Sequence, residues 1–148
     1  MKILPQPNNI YFGSKFSLIY LVILACMFTF RGFVHYFAPD GGIGIIAGVP
    51  IDNYSEGAVK TIILKSGEVG KYHLFEAILA WLIIFRWRAL IPLFLFYVLI
   101  SQCLGISLIT VKPLPVVPPG QIGAYILMPL TFLAFYLSIR KSKKDEGV

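Results

Sequence analysis

Long apolar runs separated by short polar or proline-rich segments dominate the pattern of this 148-residue chain. A helix rises about 1.5 Å per residue, so about 20 apolar residues cross the roughly 30 Å of a bilayer's hydrocarbon layer. The runs therefore predict an all-α integral membrane four-helix bundle, which forms one transmembrane domain over residues 1–148. The predicted spans are residues 17–37, 70–85, 89–110 and 121–139.

The segments between the runs contain residues that end helices. A proline and paired glycines within residues 39–42 close the first run, and scattered charged residues then predict an external loop over residues 38–69. The apolar part of the second run, residues 72–85, reaches only about 21 Å. This helix is therefore expected to begin near Val69, to thin the bilayer, or to reach the interface through its flanking arginines.

The distribution of Lys and Arg predicts the orientation, because cytoplasmic segments carry an excess of these residues. With the N-terminus inside, eight of them fall on the cytoplasmic side and four outside. We therefore expect both termini in the cytoplasm and a multi-pass protein of the cytoplasmic membrane. The cytoplasmic set is Lys2, Lys15, Arg86, Arg88, Arg140, Lys141, Lys143 and Lys144, and the external set is Lys60, Lys65, Lys71 and Lys112.

The composition indicates which kind of partner the protein has. Hydrophobic residues make up 57% of the chain and charged residues only 14%, which excludes an ordinary water-soluble core. The formal net charge is +6, but the basic residues form no stripe with interleaved aromatic residues, as a nucleic-acid surface would. Membrane lipid is therefore the predicted partner, and nucleic acid is not.

Five polar residues inside the predicted spans fall at a similar depth. A charged side chain near mid-bilayer costs about 2.5 kcal/mol or more, so such residues usually face the bundle interior and find a partner. The helical rise places all five in the outer half of the bilayer. They predict a polar pocket that opens outward and binds a small lipid-like or anionic ligand. The residues are Arg31, His35, Glu76, Gln102 and Tyr125.

Other roles for the same residues stay open. Arg31 and Glu76 can form a buried ion pair that only fixes which helices are neighbours. His35 and Glu76 are candidates for the acid and base of a membrane-embedded enzyme, with Arg31 holding an anionic group. His35, His73 and Glu76 are also the ligand types of an iron or zinc site, but their spacing is too unspecific to predict a metal. The pattern leaves any cofactor undefined.

These observations favour a non-enzymatic membrane protein that is either an accessory subunit or the binder of a lipid-like ligand. Its expected partners beyond lipid are a membrane protein complex or further copies of the chain. The alternatives are the embedded enzyme and a protomer of an oligomeric transporter, since one copy has too few polar residues for a continuous aqueous pore.

Three loop strings of the chain resemble those of a known group of proteins. They are His35-Tyr36-Phe37-Ala38-Pro39-Asp40-Gly41-Gly42, Arg86-Trp87-Arg88-Ala89-Leu90-Ile91-Pro92, and Lys112-Pro113 followed by Pro118-Pro119-Gly120-Gln121-Ile122-Gly123-Ala124-Tyr125. Together with the hydropathy pattern of residues 31–139, they resemble small bacterial four-helix membrane proteins and, more broadly, DoxX-like proteins. The resemblance implies four helices, a bacterial cytoplasmic membrane and an association with membrane redox systems as a subunit or accessory. It implies no catalytic residue.

Overall fold

The computed structural model describes residues 6–113 and 116–140. Over these residues the fold is all-helical, with four α-helices, two short 3₁₀ turns at Ile51–Asn53 and Arg88–Leu90, and no strand. The all-α prediction is therefore confirmed for this part of the chain. Four residues used to predict the orientation lie outside the described residues, namely Lys2, Lys141, Lys143 and Lys144. The helices are α1 (Lys15–Phe37), α2 (Glu56–Arg86), α3 (Ile91–Val111) and α4 (Pro119–Ile139).

In the part of the chain that the structure describes, three helices are long and apolar enough to cross a membrane. They are α1, α3 together with the 3₁₀ turn before it, and α4. Each arises from one continuous apolar run, and each agrees with its predicted span to within two residues at either end. The protein is therefore a membrane protein with transmembrane helices.

Helix α2 differs from its prediction at the N-terminus. It begins at Glu56 and has 31 residues, so it continues through much of the segment that the pattern assigns to the external loop. The Ser55 side chain caps it by accepting a hydrogen bond from the Ala58 N–H, 3.4 Å away. Ion pairs one turn apart, such as Lys60 with Glu56, support the helix where no apolar run does. At 1.5 Å per residue α2 is about 46 Å long. Its added first turns are charged, and α2 is not among the three helices that are apolar enough to cross a membrane.

Two glycines bring the backbones of α1 and α2 close together, and this pair of helices makes the most extensive contact in the structure. A Cβ at Gly32 would lie 2.9 Å from the backbone N of Leu74, and one at Gly70 only 2.6 Å from the backbone N of Tyr36. Small residues permit such close packing between membrane helices. The approach places the last turns of α1, which carry His35, directly against α2.

Buried apolar residues cluster at one end of the structure, here called the closed end. There the first half of α1, the last half of α2, the first half of α3 and Ala134 of α4 form one core. Hydrogen bonds also join α1 to α4. The Ser17 hydroxyl donates to the Ala134 carbonyl over 2.7 Å, and the Tyr20 and Thr131 hydroxyls lie 2.8 Å apart. Since such a bond contributes roughly 1 kcal/mol, these contacts hold α4 against α1 at this end.

The opposite end, here called the open end, is packed less tightly. No residue of α3 after Val98 is buried, and no residue of α4 before Thr131 is. Helices α1 and α2 stay in contact there through Gly70. The pair α3 and α4 therefore separates from the pair α1 and α2 towards this end, and the gap between the pairs contains a cavity.

Candidate ligand-binding site

The cavity at the open end has a volume of about 500 Å³. Its walls are the last half of α1, the turn of residues 42–47, Ile109 of α3 and the first turns of α4. Most of the lining is apolar, and its polar side chains are Arg31, His35 and Gln121. The volume lies in the range of about 300–1,000 Å³ that is typical of small-molecule sites.

Arg31 supplies the charge of this cavity. Its guanidinium lies against the first turn of α4, where a Cβ at Gly120 would be 3.5 Å from Nη2. Among the described residues, no carboxylate oxygen lies within 4.0 Å of this guanidinium. The α4 N-terminus carries the positive end of the helix dipole, and no side chain caps it. Two positive features therefore face the same space, an arrangement that an anion stabilises.

Gln121 adds a hydrogen-bonding group that the sequence analysis missed. Its Oε1 atom is buried and has no hydrogen-bond partner among the described residues. Leaving such an atom unsatisfied costs about 1–3 kcal/mol. With the amide turned by 180°, Nε2 would take its place and donate a hydrogen bond to an acceptor atom of a ligand. Pro118 and Pro119 mark a helix start and thus place Gln121 in the first turn of α4, which is the signal that would have identified it.

His35 is fixed by a turn and by α2. Its Nδ1 lies 2.8 Å from the Gly41 carbonyl and 3.0 Å from the Ser66 hydroxyl, and Ser66 itself donates to the same carbonyl over 2.7 Å. Because a carbonyl can only accept, Nδ1 carries the proton in the neutral ring. Nε2 is left as the free acceptor.

Asp40 organises the turn that covers the cavity. Its carboxylate accepts hydrogen bonds from the N–H groups of Gly42, Ile45 and Gly44, at 2.8, 2.9 and 3.1 Å. These bonds, that from Ile45 first, lower the pKa of Asp40 below its ordinary value. Gly41 and Gly42 have φ values of 60° and 71°, which L side chains rarely adopt, so the tight turn requires glycine at both positions.

Glu76 belongs to a second polar group, away from Arg31. Its two oxygens accept hydrogen bonds from His73 Nδ1 at 2.9 Å and from the Tyr97 hydroxyl at 2.8 Å. The His73 and Glu76 side chains are only 17% and 13% exposed. The proposed ion pair of Arg31 with Glu76 is not formed within 4.0 Å, and the histidine bonded to Glu76 is His73 and not His35.

The structure brings together only part of the predicted pocket. Arg31 and His35 line the cavity, whereas Glu76, Gln102 and Tyr125 do not. Gln102 has a buried Oε1 without a hydrogen-bond partner among the described residues, and Tyr125 is 49% exposed. Over residues 6–113 and 116–140, no group of three His, Cys, Asp or Glu side chains is arranged to hold a metal ion.

Comparison with known proteins finds no match for this chain. No protein-family profile, curated protein or solved structure matches the chain. The resemblance to DoxX-like proteins therefore stays a prediction. What can be inferred about function follows from the geometry of the cavity alone.

Proposed function

We propose that this chain is a multi-pass membrane protein that binds an amphipathic, lipid-like anion in the cavity lined by Arg31, His35 and Gln121. The proposal includes four membrane-crossing helices arranged as a bundle with both termini in the cytoplasm. The observation that carries it is the guanidinium of Arg31, which lies in an apolar cavity beside the N-terminus of α4. No acidic partner among the described residues lies within 4.0 Å of it.

Energetics support an anionic headgroup. A charged side chain at membrane depth costs about 2.5 kcal/mol or more unless a partner compensates it. A helix N-terminus stabilises a nearby anion by about 0.3–1 kcal/mol, and up to about 2 kcal/mol in a partly buried geometry. An anion between Arg31 and Gly120 would receive both contributions. The Gln121 amide could turn to donate a hydrogen bond to the same headgroup, since its oxygen and nitrogen can exchange places.

The rest of the lining supports an apolar chain on that headgroup. Met27, Phe30, Ile109 and Leu127 form walls without hydrogen-bonding side chains. The cavity also lies where α3 and α4 separate from α1 and α2, so the hydrocarbon layer can supply the ligand from the side. At roughly 25 cal/mol per Å² of buried apolar surface, a chain of several methylenes contributes as much as the headgroup.

Binding of decanesulfonate to the protein in dodecyl maltoside micelles tests this function by isothermal titration calorimetry. Decanesulfonate combines a fixed negative charge with an apolar chain, and empty micelles correct for partitioning. We expect saturable binding by the wild type and at least about tenfold weaker binding by Arg31→Gln, a loss of about 1.4 kcal/mol. The matched control is Arg140→Gln, at the closed end, which should bind like the wild type.

Two further probes separate the contributions of headgroup and chain. Methanesulfonate has the same anion without a chain, and decanol has the same chain without a charge. Both should bind far more weakly than decanesulfonate. Equal affinity of Arg31→Gln and the wild type for decanesulfonate would contradict the proposed site, because the anion would then not need the guanidinium.

A further inference from the structure

The only two histidines of the chain lie side by side between α1 and α2. The ring centroids of His35 and His73 are 6.2 Å apart, with the ring planes inclined by 30°. His35 belongs to the wall of the cavity, whereas His73 is turned towards Glu76 and stacks on Phe28 at 5.8 Å. The pair therefore connects the cavity to the second polar group.

Both rings have the same tautomer in their neutral form. The Gly41 carbonyl accepts from Nδ1 of His35, and the Glu76 carboxylate accepts from Nδ1 of His73. Each Nδ1 therefore carries the proton, and each Nε2 keeps a free lone pair. Within the described residues neither Nε2 makes a hydrogen bond. The two neighbouring rings thus offer two Nε2 lone pairs without a donor, and they take up one proton more readily than two, since like charges oppose a second.

Charged and titratable groups surround this pair on every side. Arg31 lies one helical turn from His35 on the same face of α1, so a positive charge lies beside the pair. Glu76 accepts hydrogen bonds from His73 and from Tyr97 of α3, so a carboxylate lies next to the pair. Lys65 is neutralised by Glu68 at 2.9 Å, and Asp40 is engaged by its own turn. The other charged residue of this part of α2 is Lys71, which lies over the ring of Tyr72.

We infer that His35 and His73 together bind one proton, and that the anion enters the cavity with this proton. The inference rests on the proposed anion site and deepens it. In the free protein no carboxylate contacts Arg31, but Glu76 acts on it at longer range, so the two charges of this region sum to zero. A singly charged anion adds one negative charge, and one proton on the histidine pair restores the balance. Neutrality is favoured because uncompensated charge is costly at membrane depth.

The affinity of decanesulfonate as a function of pH tests the coupling. The sulfonate stays ionised throughout, so any proton that accompanies it must bind to the protein. Between about pH 5 and 8, where histidines change charge, we expect the dissociation constant to rise with pH, approaching about tenfold per unit at the upper end. In buffers of different ionisation enthalpy, calorimetry should count an uptake approaching one proton per anion near the upper end of that range.

His73→Gln provides the matched variant, because His73 is not part of the cavity wall. It should still bind decanesulfonate but show a smaller pH dependence, since the ring next to Glu76 is gone. Nitrogen-15 NMR of histidine-labelled wild-type protein requires no substitution. It should show both rings protonated at Nδ1 in the free protein and one ring protonated at both nitrogens in the complex.

Two outcomes distinguish the inference from the function on which it rests. Decanesulfonate binding that depends on Arg31 but is independent of pH would overturn the proton coupling and leave the anion site standing. Absence of decanesulfonate binding at every pH would overturn both. An NMR spectrum in which either free ring is protonated at Nε2 would also contradict the coupling, because that ring would then lack the Nε2 acceptor.

Discussion

Gly70 of α2 lies against the backbone of Tyr36 in α1, so closely that a Cβ at Gly70 would be 2.6 Å from the Tyr36 nitrogen. The same Cβ would lie 2.9 Å from the carbonyl carbon of His35. Backbone atoms cannot move aside as the end of a flexible side chain can. This contact therefore sets the distance between the two helices at the level where the two histidines meet.

Gly70→Ala should destabilise the protein by about 1–3 kcal/mol, because overpacking forces backbone shifts of this kind. Gly67→Ala is the matched control on the same helix, since its nearest contact would be 3.8 Å from the His35 carbonyl oxygen. Alanine is a better helix former than glycine, so Gly67→Ala should be neutral or stabilise by up to about 1 kcal/mol. Thermal unfolding in detergent, followed by circular dichroism, measures both. Equal unfolding temperatures for the two variants would contradict the close approach.

Tyr97→Phe should destabilise the protein by about 1.5 kcal/mol, because the hydroxyl of Tyr97 donates a hydrogen bond to the Glu76 carboxylate. The ring stays in place, so packing is preserved and only the hydrogen bond is lost. Tyr125→Phe is the comparison, since Tyr125 is similarly exposed and makes no side-chain hydrogen bond within the described residues. Its effect should stay within about 0.5 kcal/mol in the same unfolding experiment. If Tyr125→Phe destabilised the protein as much as Tyr97→Phe, the hydrogen bond to Glu76 would make no specific contribution to stability.

The Asp40 turn should make the stability of the protein decrease at acidic pH. The pKa of Asp40 is lower in the folded protein than in the unfolded chain, chiefly because of the Ile45 N–H. Its stabilising contribution is therefore complete above the unfolded value near 3.9 and is lost as the pH falls through the lower, folded pKa. Unfolding temperatures measured from about pH 5 downwards should fall less steeply in Asp40→Asn than in the wild type. Parallel curves for the two proteins would show that this carboxylate does not hold the turn.

The proposed topology predicts opposite behaviour of two reporter fusions. Green fluorescent protein fused at the C-terminus should fluoresce, and alkaline phosphatase fused there should be inactive, because the terminus is cytoplasmic under the positive-inside rule. Phosphatase inserted after Tyr54, between α1 and α2, should be active. The reverse pattern would contradict the orientation. Activity at both positions would mean that the chain crosses the membrane an even number of times between them, and not three times.

The sequence predicts α1, α3 and α4 well, because a continuous apolar run defines both the existence and the ends of a helix in lipid. The start of α2 is different. Its first turns depend on the Ser55 cap and on ion pairs such as Lys65 with Glu68, which hydropathy does not detect. From hydropathy alone, that part of the helix therefore cannot be distinguished from a charged loop.

The site was only partly predictable for a related reason. Depth along a helix follows from residue number, and it predicts one polar region that contains Arg31 and His35, which both line the cavity. Rotation about the helix axis does not follow from depth, so Glu76 was assigned to Arg31 although its partners are His73 and Tyr97. Gln121 is not predicted from the sequence, because glutamine is common near helix starts. Only the structure shows that its Oε1 is buried without a hydrogen-bond partner among the described residues.

The position of the closed end bears on which apolar ligand tails the proposed site would accept. The hydrogen bonds that join α1 to α4 start from Ser17 and Tyr20, and the Ser14 N–H bonds Leu137 beyond them. All of these bonds lie at the closed end, whereas the tail of the proposed ligand would lie at the open end, where α3 after Val98 and α4 before Thr131 have no buried residue. We therefore expect saturated, branched and ring-bearing tails to bind with similar affinity, and the selectivity of the proposed site to reside in the headgroup.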